Sequence, residues 1–185
     1  STVIQCLDPS SDCIITCIGD WICDDSLIHC HNESTTSTCT INLFGSNCAR
    51  TSTIYTHQSP ATYINVDGYN GLYNSKIYAH EKMGSQLYVW ANQWYALRLS
   101  ELYAPVGVGS ILSMECGTHS CRNMEIFEDW TTEVYLQHFG DNANNDAFEE
   151  TIIKSIFDNS SLEITRDDPN YDGLDASYRA SVFLN

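Results

Sequence analysis

The sequence predicts an all-β fold, a right-handed parallel β-helix, and three observations predict it. Short alternating apolar pairs recur every 22–26 residues, a tight-turn signature recurs between them with the same period, and no stretch before residue 140 carries the i, i+3, i+4, i+7 stripe of an amphipathic helix. Alternation with period 2 puts one side of each strand inside and the other outside. A β-sandwich is the competing fold. It calls for strands every 8–12 residues without a fixed long period, whereas a period of about 24 suits a solenoid whose coils hydrogen-bond to their neighbours.

The first series of apolar pairs is Ile15/Cys17, Ile41/Leu43, Ile64/Val66, Tyr88/Trp90, Leu112/Met114 and Val134/Leu136. The second is Ile4/Cys6, Ile28/Cys30, Ile54, Ile77, Leu102 and Ile126. Between them lies a turn that reads Gly19-Asp20-Trp21-Ile22-Cys23, Gly45-Ser46-Asn47-Cys48, Gly68-Tyr69-Asn70-Gly71, Asn92-Gln93-Trp94-Tyr95-Ala96 and Gly117-Thr118-His119-Ser120-Cys121. A Gly or Asn opens each turn, the residue types that tolerate positive φ. Each coil is therefore strand, tight corner, second strand and polar loop. The whole of 1–185 reads as one domain, with regular coils over about 2–139. An atypical acidic portion follows over about 140–185. In it 147–157 reads as a short helix or irregular coil, and Leu162/Ile164 restart the first series.

The chain has 185 residues, 24 acidic and 8 basic side chains, and a net charge of -16. Such a surface repels phosphate backbones and anionic lipid, so nucleic acid is excluded as a partner; cations, basic partners and glycans are favoured. No apolar run is long enough to insert in a membrane. A start at Ser1, without Met or a charged apolar leader, reads as a processed fragment or a mature form. Nine cysteines without a paired C-x-x-C knuckle indicate disulfides and a secreted or cell-surface location. Sequons at Asn32 and Asn159 agree and imply N-linked glycans.

The first coil carries Cys13-Ile14-Ile15-Thr16-Cys17-Ile18-Gly19-Asp20-Trp21-Ile22-Cys23 and then Ile28-His29-Cys30. This form resembles the Cys-rich β-helix repeats of protist cell-surface and extracellular-fibre proteins. Cys39 to Ile54 and Glu115 to Ile126 repeat parts of it, while the middle coils keep the spacing and lose the cysteines. The resemblance implies a glycosylated structural element outside the cell.

The repeat also places the cysteines. Cys6 and Cys30, Cys13 and Cys39, and Cys23 and Cys48 share registers, and stacked residues about 4.8 Å apart are within reach of a disulfide. Staples between coils are expected at these pairs, with Cys116–Cys121 as a local bridge and Cys17 left over. A Cys17–Cys30 bond across one coil is the alternative. Nine is odd, so at least one thiol is free or bonded outside this chain.

Three further patterns bear on function. His31, His57 and His80 each follow a second-strand anchor by three residues, as a metal-binding or pH-responsive row would, or as ordinary polar residues leaving a strand. Tyr55, Tyr78, Tyr103 and Phe127, with His29 before them, form an outward aromatic row suited to a glycan, a neighbouring subunit or simple cross-coil stacking. Asp168, Asn170, Asp172 and Asp175 follow the D-x-N-x-D-G opening of a calcium loop, although Arg179 stands where an EF-hand would place its bidentate Glu.

Carboxylates such as Asp67 and Glu115 do not share a register with each other or with Arg98, and the tract Glu125, Glu128, Asp129 and Glu133 is spread over strand and loop. No enzyme is indicated. The expected function is an extracellular structural glycoprotein that self-associates into a homo-polymer through coil ends or through the alternating terminal strand of Tyr178, Val182 and Leu184. The alternative is a polysaccharide-binding or polysaccharide-cleaving β-helix protein.

Overall fold

The computed structural model describes residues 2–31, 36–117, 119–129, 131–138, 147–148, 150–156, 161–164 and 177–179, with backbone alone for 138, 161–164 and 177–179. It is a parallel β-solenoid built of two sheets. The strands are β1 (Val3–Gln5), β2 (Cys13–Ile18), β3 (Leu27–His29), β4 (Cys39–Phe44), β5 (Thr53–Tyr55), β6 (Ala61–Asp67), β7 (Lys76–Tyr78), β8 (Gln86–Ala91), β9 (Glu101–Tyr103), β10 (Ile111–Cys116), β11 (Glu125–Glu128), β12 (Glu133–His138), β13 (Thr151–Ser155), β14 (Ser161–Ile164) and β15 (Ser177–Arg179). Odd-numbered strands from β1 to β13 stack in one sheet and even-numbered strands from β2 to β12 in the other. All pairs within these stacks are parallel.

The second apolar series lies where the alternation put it. Ile28, Ile54, Ile77, Leu102 and Ile126 are fully buried, and the row continues to Ile153, which pairs with Ile126. The first series needs a correction in the fourth coil. Leu87, Val89 and Ala91 face the core and Tyr88 and Trp90 face outward, one residue out of step with the expectation. A slip of one residue exchanges the two faces of a strand, and two aromatics outweighed three smaller apolar residues in the pattern. In the atypical portion, β13 replaces the expected helix or irregular coil. Leu162 and Ile164 lie on β14, which joins the odd-numbered sheet antiparallel to β13 rather than restarting the first series. β15 runs antiparallel to β12, with Tyr178 opposite Leu136.

The corner between the two sheets is built by an unusual backbone. Every second residue is left-handed: Trp21, Cys23 and Asp25 (φ 61°, 57° and 49°), then Asn47, Ala49 and Thr51, then Asn70, Leu72 and Asn74, then Tyr95, Leu97 and Leu99, then His119, Cys121 and Asn123. Positive φ is costly for side chains of this kind. Here it lets the corner continue the coil-to-coil ladder. The first and third members donate to the next coil, as in Trp21 N–H to Ser46 C=O (3.0 Å) and Asp25 N–H to Arg50 C=O (2.9 Å); the middle member donates to the preceding coil, as in Leu72 N–H to Cys48 C=O (3.0 Å). The middle residues Ala49, Leu72, Leu97 and Cys121 also fill the core.

Two features hold the corners in register. A Cβ on Gly68 would lie 1.9 Å from the Gly45 carbonyl oxygen, so coils touch backbone to backbone there. At the far end of the corner stands a buried hydroxyl column of Ser26, Ser52, Ser75 and Ser100, which Thr151 resumes after Met124. The Ser75 hydroxyl donates to the Ala49 carbonyl (3.1 Å) and accepts the Ser52 amide (3.1 Å), and the Ser75 amide donates to the Ser100 hydroxyl (3.0 Å).

Candidate functional site

The cysteines bond across single bends of the chain rather than between stacked positions. Cys6–Cys13, Cys17–Cys23, Cys30–Cys39 and Cys116–Cys121 are disulfides, with Cα–Cα distances of 5.8, 6.4, 5.9 and 6.2 Å. The local bridge Cys116–Cys121 is as expected. The expected staples Cys6–Cys30, Cys13–Cys39 and Cys23–Cys48 are not formed, and neither is Cys17–Cys30. Cys13 and Cys39 are indeed backbone neighbours. Their side chains, however, point into the core side by side, each toward the partner at the opposite end of its own bend. The unpaired thiol is Cys48, not Cys17. It is fully buried, and burial pushes it up to about 11.

Each disulfide occupies a place that other coils fill with other buried side chains, most of them apolar. The Cys17/Cys23 place becomes Leu43/Ala49, Val66/Leu72 and Ala91/Leu97, then returns to Cys116/Cys121. The Cys30/Cys39 place becomes Thr56/Thr62, Ala79/Leu87 and Ala104/Leu112, and finally Glu128/Val134. Glu128 is 4% exposed, with one carboxyl oxygen unpartnered, and pairs with Ser155 of the next coil. Burial, reinforced by the charge of Asp129, raises its carboxyl to about 7. A raised carboxyl is a hallmark of a general acid when it faces a cleft. This one faces the core, where no polymer reaches it.

The histidine row does not form one site. His31 is buried, with both ring nitrogens unpartnered, beside the Cys6–Cys13 disulfide. Sulfurs bonded to each other are not thiolates and do not complete a metal site. His57 turns back through a left-handed φ of 48°, hydrogen-bonds His29 (2.9 Å) and pairs with Glu81 (2.7 Å). Burial and the neighbouring His57 keep the His29 imidazole below its ordinary range. His80 lies instead against Tyr78 and Tyr103.

The aromatic row is a continuous stack. Ring centroids of His29, Tyr55, Tyr78, Tyr103 and Phe127 follow at 4.9, 5.1, 4.7 and 4.6 Å, nearly coplanar in orientation, and the Lys154 ammonium closes the end over Phe127 at 5.5 Å. Because the rings cover one another's faces, solvent meets their edges. The ion pairs Lys76–Glu101 (2.9 Å) and Lys154–Glu125 (2.7 Å) run beside them, and the Lys76 ammonium holds the Glu101 carboxyl below its usual range. This row stiffens the sheet.

The corner carries a different face, one that sequence reasoning missed. Arg50, Tyr73, Arg98 and Arg122 follow one another at the same corner position in successive coils, as the carbonyls accepting from Asp25, Thr51, Asn74 and Leu99 establish. The Arg50 guanidinium lies over Trp21 (5.3 Å) and Tyr73 (5.4 Å), and that of Arg98 over Tyr95 (5.1 Å). Trp21, Tyr69 and Trp94 beside them are about half exposed. The signal was available as an Arg at 50, 98 and 122, spaced by whole coils.

The expected calcium ligands Asp168, Asn170, Asp172 and Asp175, the sequons Asn32 and Asn159, and Val182 and Leu184 lie outside the described residues. The backbone around Tyr178 is paired with the chain's own β12. No helix among the described residues is long and apolar enough to cross a membrane. The fold and its bridges define the class: a parallel β-solenoid carrying four disulfides, which fit an oxidising compartment. No protein family, curated protein or solved structure matches the chain.

Proposed function

We propose that the chain is an extracellular structural glycoprotein, a protomer of a cell-surface or extracellular filament that adds copies through its first coil. The observation that carries this reading is the surface of that coil. β1 and β2 are the edge strands of the two sheets. Of the thirteen large apolar side chains exposed among the described residues, Val3, Leu7, Ile14, Ile18, Trp21 and Ile22 all lie on β1, β2 and the loop and corner that follow them. Unpaired edges flanked by exposed apolar residues favour strand addition. The opposite end is finished by the antiparallel strands β14 and β15, the last strands of their sheets among the described residues. Docking the first coil of one copy on that end of another repeats without closing, as a filament requires. At a net charge of -16, assembly should be aided by salt or calcium. Size exclusion and negative-stain imaging over a concentration series, with and without EDTA, test the reading. Elongated assemblies support it, and a strictly monomeric, salt-indifferent particle contradicts it.

Polysaccharide binding is the second reading. It is favoured by the corner, where Trp21, Tyr69 and Trp94 are about half exposed beside guanidinium groups, and not by the aromatic stack, whose ring faces are covered.

A further inference from the structure

We infer that the corner column of Arg50, Arg98 and Arg122 is a binding strip for an anionic polysaccharide, with Trp21 and Trp94 as its stacking platforms. This rests on the second reading above and names both its site and its ligand class.

The argument starts from charge. The chain has only 8 basic residues against 24 acidic ones, yet three of the eight stand in a single column. The described lysines are differently placed. Lys76 and Lys154 pair with Glu101 and Glu125, and Lys82 donates to the Gln58 carbonyl. Among the described residues, Arg50 and Arg98 have no carboxylate partner. Their guanidiniums lie over the rings of Trp21, Tyr73 and Tyr95, and their Nε atoms are buried without a hydrogen-bond partner among the described residues. A ring beneath a guanidinium holds its plane while leaving the outer N–H groups for an oxyanion. Planar forks of this kind suit carboxylate and sulfate, which accept two parallel hydrogen bonds.

The column is also periodic. Successive coils are about 4.8 Å apart, so Arg98 and Arg122 are adjacent and Arg50 stands roughly 10 Å from Arg98. A row of like sites along a straight axis matches a linear ligand with charges at intervals. Trp21 (58% exposed) and Trp94 (52% exposed) add exposed aromatic surface of the kind that packs on the C–H faces of sugars. A nucleic acid would bring a charge on every residue toward a protein of net charge -16 and is disfavoured. An acidic protein segment would satisfy the arginines but has no need of exposed tryptophan faces at intervals.

The test uses the full chain with its disulfides intact and measures binding by biolayer interferometry. The probes are polygalacturonate, a sulfated galactan, fully methyl-esterified polygalacturonate and poly-L-glutamate. Binding to at least one anionic polysaccharide, weakened by salt and lost on esterification, is expected. The pair Arg50→Gln/Arg98→Gln should weaken it by about tenfold or more, whereas Lys76→Gln should not. Arg50→Lys/Arg98→Lys keeps the charge and loses the fork, and should fall between. It also serves if the glutamine pair does not fold. Unchanged binding in both pairs overturns the site. Equal binding of the esterified polymer overturns the anionic class but leaves the glycan reading standing. Absence of all polysaccharide binding overturns both, and tighter binding of poly-L-glutamate reassigns the strip to an acidic protein.

Discussion

Cys13 and Cys39 are paired neighbours on adjacent coils, yet each is bonded across the loop that precedes it, to Cys6 and Cys30. Disulfides here fasten bends: Cys6–Cys13 and Cys30–Cys39 tie the ends of strands from the two sheets, and Cys17–Cys23 and Cys116–Cys121 tie a strand to its corner. The stacking of coils is left to hydrogen bonds and side-chain columns. Peptide mapping without reduction should therefore recover Cys6–Cys13, Cys17–Cys23, Cys30–Cys39 and Cys116–Cys121. A Cys13–Cys39 or Cys23–Cys48 peptide would contradict the assignment.

The ninth cysteine should be silent in the folded protein. Cys48 is fully exposed only on unfolding, and burial holds its thiol near 11. The thiolate is the reactive form. Ellman's reagent at pH 8 should find no thiol in the native protein and one per chain in denaturant.

Ser75→Ala should destabilise the solenoid by about 1–3 kcal/mol, because it strips partners from two buried backbone groups, the Ser52 amide and the Ala49 carbonyl. Denaturant melts of this variant against an exposed control such as Ser11→Ala would measure it. An effect no larger than the control's would show that the hydroxyl column is incidental.

Glu128 gives stability a pH dependence of defined sign. Its carboxyl is raised from 4.5 to about 7 in the folded chain, so the native state binds the proton more tightly than the unfolded state. Stability from this group is full below 4.5, falls as pH rises toward 7, and stays low above it. The size is on the order of 3 kcal/mol at most. Glu128→Gln should flatten this part of the profile and raise the melting temperature at pH 8. An unchanged profile would mean that the carboxyl is solvated.

How legible these features were depended on the kind of residue that carried them. Ile28, Ile54, Ile77, Leu102 and Ile126 recur at intervals of 23–26 residues, so the second apolar row could be read directly. Tyr88 and Trp90 misled because aromatics mimic anchors while Leu87, Val89 and Ala91 hold the core. The disulfide partners were misassigned because register says which residues are near but not which way a buried sulfur turns. The serine column was visible as a spacing at 26, 52, 75 and 100, but serine is too common in turns to stand out. The alternating left-handed corner was hidden almost entirely. Leu72, Leu97 and Leu99 are among the residues least expected at positive φ, and they adopt it because the coil-to-coil hydrogen bonds and the core require it.

The claim that the first coil is an assembly face is tested most directly by sedimentation velocity. Wild-type protein and Ile14→Lys/Ile18→Lys should be compared over the same concentration series at moderate salt. Both side chains are about 70% exposed, so the substitutions should leave folding intact. The account predicts faster-sedimenting species that grow with concentration in the wild type and a single monomer boundary in the variant. A monomer boundary for both, or assembly unaffected by the lysines, would contradict it.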